Sequence, residues 1–127
     1  MSRTWTVRIP APAPWLNANS RKDRRRMAST VRTWREAATV YAKQAKLPKL
    51  GQARITATLH FCDKRRRDDH NYFPTVKAIV DGLVDYGLLD DDSRQHLLGT
   101  SITGGEPVTH KQYPGGGLVV LTIQEAA

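Results

Sequence analysis

The sequence predicts a single α+β domain in which two helices pack on one mixed sheet of about four strands. The length of 127 residues fits one domain, and no repeat or linker divides the chain, so residues 1–127 are taken as one unit. Four segments have the apolar pattern of β-strands, and two have the spacing of amphipathic helices. Their order along the chain is β-α-β-α-β-β.

The first half of the chain predicts one strand and one helix. Thr4–Ile9 alternates β-forming and polar residues, and a run of prolines ends this strand. Residues 17–29 are polar and basic, and we expect them to form a mobile loop. Residues 30–46 carry apolar side chains at helical spacing, with Ser29 or Thr30 as the expected N-cap.

The second half predicts three strands and one helix. Ala53–Cys62 places every second apolar side chain on one face, which is typical of a half-buried strand. The period then changes to that of a helix, which is expected to run from Pro74 to a stop at Gly87. His96–Ile102 and Leu118–Ile123 are expected to be strands that pair as a hairpin, joined by a loop over Gly104–Gly117.

The charge of the chain is divided between its two halves. The net charge is +8, but residues 1–67 carry +14 and residues 68–127 carry −6. Seven of the acidic residues are aspartates between positions 68 and 92. A strongly basic surface indicates a polyanionic partner such as a nucleic acid. A compact aspartate group beside it is the combination that a metal-dependent nuclease needs, although a basic protein without catalysis is also compatible.

Several classes of protein are disfavoured by composition. Cys62 is the only cysteine, so no internal disulfide can form, and its spacing from His60 is only a weak indication of a metal. Cys62 is better interpreted as a buried strand residue. No run approaches the ~18 apolar residues of a membrane span. The first residues have no apolar run of signal-peptide length, so we expect a cytoplasmic protein without a membrane association.

The tract from residue 63 to residue 71 is the first candidate site. Four basic residues, Lys64–Arg67, directly precede the potential metal ligands Asp68, Asp69 and His70 at the end of a strand. Basic side chains bind phosphate oxygens, and carboxylates bind Mg²⁺. The alternative interpretation is a charged turn, with Asp69 or Asn71 capping the following helix.

The acidic triplet Asp90–Asp92 and the isolated Lys77 are the second candidate. Carboxylates that approach within ~4 Å repel by about 4 kcal/mol at an effective dielectric constant of 20, so an aspartate group requires cations nearby. Lys77 could direct its charge at a phosphate, or it could form an ordinary helix pair with Asp81 four residues later. The triplet could equally be a solvated acidic loop.

These segments together resemble the RusA family of Holliday-junction resolvases. The match is a basic run with Asp-x-x-Asn, then a lysine-containing helix, Asp-Gly-Leu and Asp-Asp-Ser. In this chain the motifs are Arg65–Asn71, Lys77, Asp81–Leu83 and Asp91–Ser93, and Pro14–Asn17 is similar to the opening of the family. The resemblance spans nearly the whole chain and is most specific over residues 65–93.

The resemblance implies a homodimeric endodeoxyribonuclease that uses Mg²⁺ or Mn²⁺ to resolve four-way DNA junctions by paired nicks. Such enzymes act in DNA recombination and repair, in bacteria, prophages and phages. It implies Asp68, Lys77 and Asp92 as catalytic residues; the lysine matches only if three extra residues follow Asn71. His70 stands where the family has its second acid, which favours Mn²⁺. The expected metal ligands are Asp68, His70, Asp91, Asp92 and, as an alternative to His70, Asp69.

The DNA backbone is expected to contact two basic segments of the chain. Their residues are Arg21, Lys22, Arg24, Arg25, Arg26, Lys64, Arg65, Arg66 and Arg67, with Asn71 beside the second segment. Two other functions remain open from the sequence. One is a DNA-binding module of the same fold without catalysis, and the other is a nuclease that acts on RNA.

Overall fold

One four-stranded sheet and two α-helices form the part of the chain that this computed structural model describes, residues 3–19 and 24–126. This confirms the predicted α+β class and the element order. None of the helices described is both long and apolar enough to cross a membrane. The elements are β1 (Thr4–Pro10), α1 (Arg24–Gln44), β2 (Ala53–Phe61), a 3₁₀ helix (Asp69–Tyr72), α2 (Phe73–Tyr86), β3 (Leu97–Gly104) and β4 (Gly117–Glu125).

The strand order in the sheet is β1-β4-β2-β3. β2 and β3 run parallel and are joined through α2, since parallel neighbours need a crossover connection. β4 runs antiparallel to both β1 and β2. The predicted hairpin of β3 with β4 is therefore wrong. The apolar run Leu118–Ile123 suits a central strand, whereas the polar, largely exposed β3 suits an edge.

The segment between β3 and β4 first extends the sheet instead of turning back. The Gly105 N–H donates to the Leu59 carbonyl (2.9 Å), and the Val108 N–H donates to the Phe61 carbonyl (2.8 Å). The chain thus continues along β2 before it returns to β4. This path lets β4 insert on the other side of β2.

Helix α1 begins earlier than the sequence predicted. The helix includes residues 24–29, so the predicted loop is wrong over these positions, and Ser29 and Thr30 lie inside the helix and do not cap it. Residues 20–23 lie outside the described part of the chain. The first turns carry exposed residues without an apolar period, which explains the error. The buried face of α1 is formed by Trp34, Ala38 and Ala42.

Close packing holds α2 against α1. A Cβ atom added at Gly82 would lie 2.2 Å from the Arg35 carbonyl oxygen, so only glycine allows this approach. The Thr39 hydroxyl donates to the Gly82 carbonyl (2.9 Å). At the exposed rim, the Arg35 guanidinium donates to both oxygens of Asp85. Helix α2 starts with proline in its first turn and ends at Gly87 in the left-handed conformation (φ 105°), as predicted.

The opening segment, residues 11–17, is fixed to the core although it has no regular structure. The fully buried Thr75 hydroxyl accepts from the Leu16 N–H (2.8 Å) and donates to the Leu16 carbonyl (2.8 Å). The Trp34 indole donates to the Pro14 carbonyl (2.9 Å), and the Trp15 indole donates to the Gly116 carbonyl (3.0 Å). These contacts place residue 17 beside the start of α2.

Candidate functional site

Lys77 is the centre of a charged group on the exposed face of α2. Its ammonium lies 2.7 Å from an oxygen of Asp81 and 2.6 Å from an oxygen of Asp92. Asp81 is one helical turn further along α2, and Asp92 comes from the loop that follows the helix. The hydrogen bonds to Asp81 and Asp92 raise the pKa of Lys77, and Lys77 lowers the pKa of the Asp92 carboxyl. One cation therefore holds two carboxylates together.

The three aspartates of the acidic triplet have different partners. Asp90 pairs with Lys49 (2.6 Å), and an oxygen of Asp91 accepts from the Ser93 N–H (2.8 Å). These contacts, from Lys49 to Asp90 and from Ser93 to Asp91, lower the pKa of each carboxyl. Of the three aspartates, Asp92 is the one that contacts Lys77. The structure thus brings together Lys77 and Asp92 of the predicted catalytic residues.

The residues after the basic tract, Lys64–Arg67, form the 3₁₀ helix. An oxygen of Asp68 accepts from the His70 N–H (3.1 Å) and caps this helix. The Asp69 carboxylate lies against Gly104 at the end of β3, where a Cβ atom would be 3.1 Å from both oxygens. The His70 side chain is exposed. No side chain caps α2 itself, so the alternative of Asp69 or Asn71 as its cap is wrong.

The fit of a metal ion depends on how these donors are grouped. Within residues 3–19 and 24–126, no three His, Cys, Asp or Glu side chains are close enough to hold one ion. The predicted ligands Asp68, Asp69, His70, Asp91 and Asp92 therefore do not form such a group. The pair Asp81 and Asp92 offers oxygen donors on either side of one ammonium. The ammonium occupies the position between the two carboxylates, so the pair offers Mg²⁺ only its remaining oxygens, and substrate phosphates would have to supply other ligands.

Asp81 is the site residue that sequence reasoning missed. The sequence offers it only as a possible i+4 partner of Lys77, and that pair is present. Its proximity to Asp92 arises because both carboxylates contact the same ammonium. The signal in the sequence was the shared helix face of Lys77 and Asp81. Only the fold brings Asp92 to this pair.

The four basic residues of the tract differ in how free their charge is. Arg67 donates to both oxygens of Asp63 (2.7 and 2.9 Å), and its guanidinium carbon lies 4.0 Å from the centre of the Phe61 ring. Its side chain is 13% exposed, whereas that of Arg65 is 78% exposed and lies farther from Asp63, at 3.6 Å. The pKa of Asp63 falls well below its usual value, chiefly because Arg67 donates to it. Arg67 is therefore a structural residue, and the exposed charge of the tract lies on its other members.

A polar cleft of about 350 Å³ opens beside the tract. The Ala18 N–H donates to the Asn71 carbonyl (2.7 Å), which joins the opening of the chain to the 3₁₀ helix. Asp68, the exposed arginines and the opening segment therefore line the same cleft. The lining residues are Asn17, Arg65, Arg66, Arg67, Asp68, Asn71 and Tyr72.

The second basic segment is only partly described. Arg21 and Lys22 lie outside the described residues, as does the side chain of Arg24. Arg25 and Arg26 are exposed in the first turn of α1. Arg26 lines a second cleft, of about 310 Å³, between α1 and the opening segment. This places one of the predicted phosphate-binding arginines near the polar cleft.

His60 and Cys62 do not form a metal site. Nδ1 of His60 donates to the Glu106 carbonyl (2.8 Å), and the ring lies against Gly105. Cys62 is half-buried just after β2, with its sulfur 3.7 Å from the Tyr113 carbonyl oxygen. Both side chains therefore have structural contacts of their own.

No protein-family model matches this chain, and a search of the curated proteins found no match either.

Proposed function

We propose that this chain is a metal-dependent endodeoxyribonuclease that nicks branched DNA. The observation that carries the proposal is the group formed by Lys77 with Asp81 and Asp92, where two carboxylates share one ammonium. The exposed basic tract and the polar cleft beside the start of α2 support it, because they offer a surface for a phosphate backbone. The resemblance to the RusA family over residues 65–93 also supports it.

The chemistry assigned to the side chains follows from their charge. Asp92 and Asp81 would hold Mg²⁺ or Mn²⁺, with Asp68 as the further candidate from the 3₁₀ helix. When bound, such an ion activates a water molecule and stabilises the leaving oxygen. The Lys77 ammonium would neutralise charge on the phosphate. Arg65 and neighbouring basic side chains would hold the DNA backbone.

The substrate and the assembly are part of the same proposal. The resemblance supports a four-way junction as the branched substrate and a homodimer as the active form. Two sites related by a two-fold axis would nick two strands of a junction symmetrically. The RNA alternative is addressed by competition with duplex RNA, which should not displace a DNA junction if the proposal is correct.

A DNA-binding module without catalysis is the second candidate. It is favoured by one observation, namely that no three metal-binding side chains are grouped within residues 3–19 and 24–126. In that case Lys77 would only neutralise the two carboxylates of its own surface. The exposed arginines would bind DNA in the same way, so binding alone does not separate the two candidates.

The test compares Asp92→Asn with Asp90→Asn. Both remove one charge from the same loop, but Asp92 contacts Lys77 and Asp90 contacts Lys49. We expect Asp92→Asn to lower the nicking rate of a synthetic four-way junction by several orders of magnitude, as for loss of a metal ligand. Gel-shift affinity without divalent metal should be kept or increased, since repulsion of phosphate falls. Asp85→Asn is a poor control because Asp85 joins the two helices through Arg35.

The outcomes separate the candidates. Nicking that persists in Asp92→Asn at the rate of Asp90→Asn would make the acidic triplet a solvated loop. If the unaltered protein binds junctions but nicks none with Mg²⁺ or Mn²⁺, the module without catalysis is the better account.

A further inference from the structure

We infer that the groove between the opening segment and the basic tract binds one unpaired nucleotide of branched DNA, with its base against Trp15 and Tyr72. The inference deepens the proposed function and rests on its assignment of DNA as the partner. It adds a base-binding position to a surface that was so far assigned only to phosphates. It concerns binding and not the cleavage step.

Four aromatic rings meet at the end of β2. The Trp15 ring centre lies 4.5 Å from that of Phe61 and 6.1 Å from that of Tyr72, and Phe61 lies 4.9 Å from Tyr72. Trp34 packs behind Trp15 at 5.3 Å and is fully buried. Phe61 is also buried, whereas Trp15 and Tyr72 are half-buried. The cluster therefore has two buried rings, Phe61 and Trp34, and two partly exposed rings, Trp15 and Tyr72.

The exposed side of this cluster is a cleft of about 330 Å³. It adjoins the polar cleft, because Asn17, Arg65, Arg67 and Tyr72 line both. We treat the two neighbouring clefts as one groove, with the aromatic rings at one side and the exposed arginines of the tract at the other. The side-chain oxygen of Asn17 accepts from the Asn19 N–H (2.8 Å), which orients its amide in the groove.

These wall groups match the parts of a nucleotide. Arginine side chains bind the phosphate, aromatic rings stack with a base, and an amide can hydrogen-bond to a base edge. A base that is paired in a duplex has its faces covered by its neighbours, so it cannot use the rings. A duplex could use only the arginines. Leaving the stack costs least for a base that is mismatched or already unpaired, so an unpaired base of branched DNA is the one that can reach the rings.

The rings are held in place before any ligand arrives. The Trp15 indole donates to the Gly116 carbonyl (3.0 Å), and Leu16 is bonded to the buried Thr75. The guanidinium of Arg67 lies over Phe61 and is fixed by Asp63. A preformed groove avoids the entropy of ordering side chains on binding. Affinity for an unpaired base is therefore expected even for a short single strand.

The experiment measures binding of a short deoxythymidine oligomer and of a blunt duplex, both without divalent metal. Tyr72→Leu keeps an apolar side chain but removes the ring, whereas Tyr72→Phe keeps the ring. Since stacking contributes about 1–3 kcal/mol per base, Tyr72→Leu should weaken oligomer binding by about 5- to 150-fold. Tyr72→Phe should stay within about twofold, and duplex affinity should change little in either variant. Circular dichroism and a thermal melt establish that each variant is folded.

Fluorescence gives a second readout on the unaltered protein. Stacking on Trp15 should quench tryptophan emission when the oligomer binds, and the duplex should not. Equal losses of affinity for oligomer and duplex in Tyr72→Leu would overturn the inference, and so would the absence of quenching at saturation. Tighter binding of a uridine oligomer than of the deoxythymidine oligomer would also overturn it. Ring-dependent oligomer binding by a protein that never nicks a junction would reject the proposed nuclease and keep this binding site.

Discussion

Replacing Thr75 by valine removes the buried hydroxyl that holds the opening segment to α2. This hydroxyl is fully buried and makes two hydrogen bonds of 2.8 Å with Leu16, one as acceptor and one as donor. Valine has nearly the same shape, so no cavity is created. It leaves the N–H and the carbonyl of Leu16 without their partner in the interior. Each unsatisfied buried group costs about 1–3 kcal/mol, so we expect a loss of about 2–6 kcal/mol in the free energy of unfolding.

Urea unfolding measures this loss, with the midpoint shifting and the m-value unchanged. Thr75→Ser is the matched control, because it keeps the hydroxyl and removes one methyl group, at a cost of about 1 kcal/mol. The variant with valine should therefore be clearly less stable than the variant with serine. If the valine variant is as stable as the serine variant, the two hydrogen bonds contribute no net stability and the reasoning fails.

Three further predictions follow from other contacts. Gly82→Ala should destabilise the fold by about 1–3 kcal/mol, because the added Cβ overpacks the contact between the helices. Gly51→Ala is the control and should not destabilise the fold, because nothing lies within 4 Å of a Cβ atom there. Thermal melts compare the two variants, and equal melting temperatures would argue against the close approach. Arg65→Ala should reduce the slope of log junction affinity against log salt concentration by about 0.9. Arg67→Ala should lower the stability of the fold and leave this slope unchanged, and the reverse pattern would exchange the roles of the two arginines. His70→Ala should leave the ratio of Mn²⁺- to Mg²⁺-supported nicking unchanged, because the exposed His70 does not group with Asp81 and Asp92, and a reduced ratio would return His70 to the ligands.

The sequence predicted local structure better than strand pairing. The spacing of apolar residues depends on one segment at a time, which is why the ends of α2 and the extent of β2 were predicted closely. Pairing depends on which segment best fills a central position. The apolar β4 occupies that position in preference to β3, and neighbours along the chain do not reveal such a competition.

The candidate site was predicted in its residue types but not in its grouping. Lys77 and Asp92 are both named in the sequence analysis, and the structure places them in contact. Asp81 was named only as a helix partner, because nothing in a linear pattern places a later loop beside it. Arg67 was counted with its neighbours as a phosphate ligand, although Asp63 already neutralises it. Which basic side chain pairs with a given carboxylate can be seen only in the three-dimensional structure.

The attachment of the opening segment has a consequence for motion. A segment without regular structure ordinarily opens at a low free energy, independently of the core. Here the Trp34 indole donates to the Pro14 carbonyl, and the Trp15 indole donates to the Gly116 carbonyl. The segment can therefore detach only together with the packing of α1 and the start of β4. Opening of this wall of the groove is expected to require the global unfolding of the domain, and not a local fluctuation of the segment alone.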